Sequence, residues 1–194
     1  MKVIAAWLLL FVLAVVPVYG EVTRKLISNK DGTPEFVFYS GGKEIARHKG
    51  DTNGTIIKRS GTIPDGLVKQ YYDDGSLFGE WNYKGGALEG ISKVYYPKSG
   101  ELKNEWSFKN NKLEGISRSY YKSGKLGEES NYKADKLDGV TKNYYEGGKL
   151  KSEYNFKDGV REGVSTEYDE VGKVKAIADY KDGKLTSYVT VKDE

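Results

Sequence analysis

The chain has 194 residues, 30% of them charged and 38% hydrophobic, with a formal net charge of +3. That small, well-mixed charge gives no electrostatic pointer to nucleic acid or to an anionic membrane. The chain has no cysteine, which excludes disulfides, thiol catalysis and cysteine metal sites, and its 16 tyrosines, 3 tryptophans and 6 phenylalanines argue against disorder.

The chain opens with Met1-Lys2 and an unbroken apolar run from Val3 to Val16, ended by Pro17. Val18-Tyr19-Gly20 then places small or moderate side chains at the −3 and −1 positions of a cut before Glu21. This is the pattern of a secretory signal peptide over 1–20. The apolar run is shorter than the roughly 20 residues a spanning helix needs. The expectation is export to the periplasm, the cell envelope or the extracellular space.

Residues 21–65 predict four short strands, at Val22–Ile27, Glu35–Tyr39, Lys43–His48 and Thr55–Arg59. Asp31-Gly32, Gly41-Gly42 and Asn53-Gly54 are the turn dipeptides between them, and Asn-Gly suits a primed hairpin turn. This stretch departs from the repeat that follows and is expected to cap it. His48 is the only histidine. It has no acidic or hydroxyl partner at a motif spacing and reads as a strand residue. Asn53-Gly54-Thr55 matches a glycosylation acceptor, but a plain turn explains the same residues.

From Gly66 one unit is copied five times, over 66–89, 90–114, 115–138, 139–162 and 163–187, with a tail at 188–194. The unit-opening glycines at 66, 90, 115, 139 and 163 stand 24 or 25 residues apart. Such a fixed period is the mark of a repeat architecture. In the first unit, Leu67–Tyr72 and Leu77–Tyr83 are rich in strand formers, and Asp74-Gly75 between them suits a two-residue type I′ turn. That turn puts Tyr72 opposite Leu77, Tyr71 opposite Phe78, Lys69 opposite Glu80, Val68 opposite Trp81 and Gly66 opposite Tyr83.

The charges support this register. Lys93 would face Glu105, Arg118 would face Glu129, and Lys142 would face Glu153. In the fifth unit both charges vanish together, as Thr166 and Ile177. Facing opposite charges stabilise a strand pair by a few tenths to about 1 kcal/mol, and a lone one would lack its partner.

One sheet face then carries an aromatic ladder that includes Tyr72, Trp81, Tyr83, Tyr96, Trp106 and Phe108. The other carries Leu67, Ile91, Ile116, Val140 and Val164 with the first tyrosine of each pair and the charges. Two amphipathic faces fit a single twisted sheet better than a buried sandwich. Tyrosine suits that sheet because the ring buries while the hydroxyl stays wet. Leu88, Leu113, Leu137 and Leu185 read as apolar plugs between units, with Arg161 in the fourth. Lys84, Lys109, Lys133, Lys157 and Lys181 recur at strand ends, where a lysine protects and solubilises.

The pattern Gly-x-x-x-x-Tyr-Tyr-x-x-Gly-x-Leu-x-x-Glu-x-x-aromatic-Lys over 66 to about 185 resembles the MORN repeat variant of bacterial proteins. Whole chains of this kind resemble the YwqK-family antitoxins of toxin–antitoxin systems. The resemblance implies hairpin units stacked into an elongated sheet that contacts other proteins. For parent MORN repeats it also implies membrane-proximal scaffolding.

The chain holds no nucleophile elbow, phosphate loop, His-Glu-x-x-His or calcium loop. Glu80, Glu105, Glu129 and Glu153 recur, but each faces a cation, which does not push paired carboxylate pKa values apart. The expectation is therefore an all-β protein, an elongated single-layer antiparallel sheet of stacked β-hairpin repeats. It has no catalytic residue, no metal and no cofactor, and it does not bind nucleic acid. Its function is a scaffold for another protein, to which the resemblance adds an antitoxin- or immunity-like role. The alternative is an envelope- or membrane-associated structural repeat protein without a specific partner. The residues expected to bind are Tyr72, Trp81, Tyr96 and Trp106, because Tyr and Trp are enriched at binding hot spots.

Overall fold

Strand-forming residues alternate between glycine-closed turns, and the computed structural model shows the result: strands throughout and no helix among the described residues, 20–53 and 55–191. The expected signal segment lies outside them, as does Gly54 of the expected Asn53-Gly54 turn. The N-terminal part forms β1 (Val22–Ser28), β2 (Pro34–Ser40), β3 (Lys43–Gly50) and β4 (Ile56–Gly61). The repeats follow as β5 (Gly66–Tyr71), β6 (Leu77–Lys84), β7 (Ala87–Leu88), β8 (Gly90–Tyr95), β9 (Leu102–Lys109), β10 (Lys112–Leu113), β11 (Gly115–Tyr120) and β12 (Leu126–Lys133). The array ends with β13 (Lys136–Tyr144), β14 (Leu150–Lys157), β15 (Val160–Arg161), β16 (Gly163–Tyr168), β17 (Val174–Lys181) and β18 (Lys184–Thr190). The last strand runs three residues into the expected tail.

Pairing makes one open sheet. It runs β4-β3-β2-β1-β5-β6-β8-β9-β11-β12-β13-β14-β16-β17-β18, with β7, β10 and β15 as short lead-ins on β6, β9 and β14. Every pairing is antiparallel except β1 with β5, which are parallel through Val22↔Val68 and Thr23↔Lys69. The sheet is therefore mixed at the one joint between the N-terminal part and the repeats.

The two kinds of turn are exchanged relative to expectation. Inside the first unit, the Gly75 N–H donates to the Tyr72 carbonyl at 3.0 Å and the Tyr72 N–H to the Ser76 carbonyl at 2.8 Å. The loop is thus Asp73-Asp74-Gly75, three residues, with only Gly75 left-handed (φ 83°). The two-residue primed geometry, with φ positive at both central residues, occurs between units instead. It is found at Gly85-Gly86 (57°, 75°), Asn110-Asn111 (50°, 66°) and Ala134-Asp135 (48°, 70°).

The longer loop is absorbed by a bulge. Tyr71 pairs with Leu77 but Gln70 pairs with Gly79, so Phe78 is squeezed out of the ladder. The expected pairs Tyr72–Leu77 and Tyr71–Phe78 do not form. Beyond the bulge the expected register holds: Lys69↔Glu80, Val68↔Trp81 and Gly66↔Tyr83.

The sheet is not flat at its N-terminal end. β2 and β6 are three strand spacings apart along the sheet, roughly 14 Å if it were flat. Yet the Phe38 and Tyr83 rings meet edge to face at 5.7 Å. The first four strands therefore curl over the aromatic face of the first unit. Val22, Phe38, Ala46, Ile63, Val68, Trp81, Tyr83 and Val94 form the buried cluster there. Each fully buried large side chain contributes about 1.5–3 kcal/mol, so this curl is the most stabilised part of the molecule. Gly79 belongs to the same packing: a Cβ on it would stand 2.6 Å from the Trp81 ring and 2.7 Å from the Lys93 carbonyl.

Candidate functional site

The two sheet faces carry different chemistry. On the charged face the cross-strand pairs join into one alternating row. Glu80 pairs with Lys93, Glu105 with Arg118, and Glu129 with Lys142 across the boundaries between units, as well as within hairpins. Arg118 bridges Glu129 at 2.8 Å and Glu105 at 3.5 Å, and Lys142 reaches Glu153 at 3.3 Å. Lys69 instead bonds Glu21 at 3.1 Å, so the row extends onto the N-terminal segment. The Glu129 carboxylate beside Arg118 raises that guanidinium's already high pKa. Alternation neutralises the face and leaves no single-sign field.

On the aromatic face the second tyrosine of each pair is a staple. The Tyr72 hydroxyl donates to the Tyr95 carbonyl at 2.9 Å, Tyr96 to Tyr120 at 2.8 Å, Tyr121 to Tyr144 at 2.6 Å and Tyr145 to Tyr168 at 2.8 Å. These hydroxyls are bonded to the next unit, not left to water as the sequence suggested. The fifth unit has Asp169 at this position, where no further hairpin among the described residues offers a carbonyl; its carboxylate accepts the Val171 and Lys173 N–H groups. The bulge residue supports the ring: Phe78 meets Tyr72 edge to face at 5.0 Å, and Lys103 and Lys151 lie over Tyr96 and Tyr145.

The four expected binding residues are therefore unlike one another. Tyr72 and Tyr96 are half-buried staples. Trp106 is half-buried and paired with Ser92. Trp81 is only 5% exposed, in the cluster under the N-terminal strands, and so is not on the open surface that was expected for it. The curl buries Trp81 and leaves Trp106 half-buried against the same cluster, and no local pattern in the sequence announced it. Along this face Ser92, Ser117, Thr141 and Ser165 occupy the position of Val68, and their hydroxyls have no hydrogen-bond partner among the described residues. A shallow groove of about 330 Å³ beside them is lined by Tyr96, Asn104, Tyr121, Glu128 and Asn143.

Two arginines take roles that the sequence did not assign to them. Arg24 lies with Cζ 3.3 Å from the Trp81 ring centroid and 4.9 Å from that of Phe36. Its Nε donates to Gln70 Oε1 at 3.0 Å and its Nη1 to the Tyr83 hydroxyl at 3.3 Å. Burial lowers its pKa. Arg161, in the leucine position of the fourth unit, lies 4.3 Å from the Tyr154 ring and donates to the Tyr180 hydroxyl. Arg24 lines a cleft of about 630 Å³ between the curled strands and the repeats, where His48 and Arg59 face Trp81 and the turn at Asn110-Asn111. Burial, and then the Arg59 charge, lowers the His48 pKa. A second opening, of about 710 Å³, lies where β1 and β5 part beyond Thr23↔Lys69.

Among the described residues no group of three or more His, Asp or Glu side chains is placed to hold a metal. No helix among them is long and apolar enough to cross a membrane, which says nothing of strands.

The family model described as the MORN repeat variant matches residues 64–84, 113–134, 137–158 and 161–182. These stretches fall on the first, third, fourth and fifth units. The second unit, outside them, carries the extra turn residue in Pro97-Lys98-Ser99-Gly100 but pairs its strands in the same register, with Lys93 opposite Glu105. No curated protein matches the chain.

Proposed function

We propose that this chain, four of whose units match the MORN repeat variant, is a non-catalytic scaffold that engages another protein through the aromatic face of its later units. The observation that carries this reading is internal to the molecule. The aromatic face of the first unit is covered by the chain's own β2 and β3, with Phe38 seated on Tyr83. Beyond Val94 and Trp106 of the second unit, which belong to or pack against that cluster, the same face of the later units has no such cover among the described residues, and its rings stay half-buried. A partner strand or loop can cover those rings as β2 covers the first. Tyr96 and Trp106 are the anchors we assign; Tyr72 borders them, and Trp81 supports them from beneath the curl. An antitoxin- or immunity-like role, exported by the N-terminal segment, is the particular form of this scaffold that the resemblance implies.

The test is affinity capture from envelope and secreted fractions, with wild type and with Trp106→Ala, after far-UV dichroism shows that the variant keeps its strands. One partner enriched by wild type and lost with Trp106→Ala is the expected result. Avid binding to lipid vesicles or cell-wall material, with no protein enriched, would replace this reading by that of an envelope-associated structural protein.

A further inference from the structure

The cleft under the curled N-terminal strands has a chemical imbalance that the packing of the fold does not require. Arg24 forms its floor. A guanidinium has five N–H donors. Two hydrogen bonds are made here, both to neutral acceptors, Gln70 Oε1 and the Tyr83 hydroxyl. No carboxylate pairs with Arg24 among the described residues. Arg24 is half-buried, and a cation drawn partly out of water is normally paired, so this one suits an anion.

The rest of the lining repeats the request. Arg59 and Lys112 also line the cleft, and neither has an ion pair among the described residues. The one acidic side chain in the lining, Asp135, is engaged: its Oδ1 accepts the Leu113 N–H at 2.7 Å. His48 carries no formal charge in its ordinary neutral form, and its lowered pKa favours that form. The walls beside these cations are the rings of Phe36, Phe38 and Trp81. Packed against Trp81 and Phe36, the guanidinium is fixed in orientation, which suits two parallel N–H···O bonds to one carboxylate.

We propose that this cleft is a binding site for a peptide carboxylate flanked by an apolar side chain, with Arg24 holding the carboxylate and the aromatic walls holding the side chain. A cleft of about 630 Å³ is within the range of small-ligand sites and takes a short peptide end. Arg59 and Lys112 at the rim draw the anion in. The cleft is distinct from the open aromatic face: neither Tyr96 nor Trp106 lines it, although Trp106 packs against the same buried cluster.

The test uses an acetylated dipeptide ending in phenylalanine, as the free acid and as the C-terminal amide, titrated into the protein while tryptophan emission and the Trp81 indole N–H resonance are followed. A third probe is an amidated peptide with an internal Glu-Phe, and a fourth is phenyl phosphate. The free acid should bind saturably and shift the Trp81 signal, with the amide weaker by roughly tenfold or more, the loss expected when a charge-assisted pair is removed. Comparable binding of the Glu-Phe peptide would place the carboxylate on a side chain and still support the site. Arg24→Gln should abolish the acid's advantage over the amide. Arg59→Gln, at an exposed position that the fold does not need, should weaken the acid several-fold. Tyr96→Ala, at a scaffold-face residue that neither lines the cleft nor packs against its buried cluster, should leave binding unchanged, which separates this site from the scaffold face. Acid and amide binding alike, no saturation, or no change with Arg59→Gln would overturn the proposal. Tighter binding of phenyl phosphate than of either carboxylate would overturn the assignment of the ligand.

Discussion

At the scale of single residues, tyrosine does two jobs that composition alone does not separate. The second tyrosine of each pair ties one unit to the next through its hydroxyl. The Tyr121 bond to the Tyr144 carbonyl is the shortest of the four, at 2.6 Å. Tyr121→Phe keeps the ring and removes the donor, so it should cost about 1 kcal/mol, read as a lower urea midpoint. An unchanged midpoint would mean that the staple contributes nothing net. The first tyrosine lies on the charged face. Burial, and then a hydrogen bond to the Glu80 carboxylate at 2.7 Å, pushes the Tyr95 phenol up to about 12. An unfolded tyrosine titrates near 10. The neutral phenol's contribution is therefore complete below about pH 10 and is lost as pH rises towards about 12. Stability of wild type should fall more steeply over that window than stability of Tyr95→Phe. Parallel curves would remove Tyr95 from the alkaline transition.

At the scale of the elements, the unit is one hairpin with a three-residue loop and a bulge, joined to the next hairpin by a primed two-residue turn. The primed turns are stacked: the second turn residue donates its N–H to the unit before, Asn111 to Leu88 and Asp135 to Leu113, each at 3.0 Å. An acidic residue before each unit glycine holds the first turn residue, as Glu89 accepts the Asn110 N–H and Glu114 the Ala134 N–H. These hydrogen bonds explain the recurring Asp or Glu before the unit glycines as turn chemistry. Ala134 sits in this frame at φ 48°, where a Cβ is unwelcome. Ala134→Gly relieves that strain and should raise the thermal midpoint, by an amount equivalent to some tenths of a kcal/mol up to about 1 after glycine's own entropy cost. A lower midpoint would show that the methyl group packs well enough to outweigh the strain.

At the scale of the whole molecule, the array has unequal ends. The N-terminal strands curl back and bury Trp81, while β18 pairs only with β17 among the described residues and has all seven of its residues exposed. Trp81→Ala should therefore cost about 3–5 kcal/mol, as for a buried aromatic in a packed core. Trp106→Ala should cost clearly less, because that ring is half-buried. Chemical denaturation of the two variants side by side checks the order. Equal losses would mean that the curl adds little to the stability of the first unit.

The repeat and its strands could be read from the chain alone because both are local. Periodic glycines mark the turns, and strand-forming runs lie between them. The pairing beyond the bulge was also legible, since Lys93 and Glu105 are charged together while Thr166 and Ile177 are neutral together. The turn type was not legible: Asp74-Gly75 satisfies a primed two-residue turn and also a three-residue loop, each of which needs a left-handed glycine. That one-residue difference decides where Phe78 goes, and with it what supports Tyr72. The parallel joint of β1 with β5 and the seating of Arg24 on Trp81 lay further beyond reach. They join residues 46 to 57 positions apart with no repeated partner to betray them. Local backbone preference and the charge pattern thus set the units and their register. The curl, the buried tryptophan and the cationic cleft were decided only by the tertiary structure, where the N-terminal strands fold over the first repeat and remove its aromatic area from water.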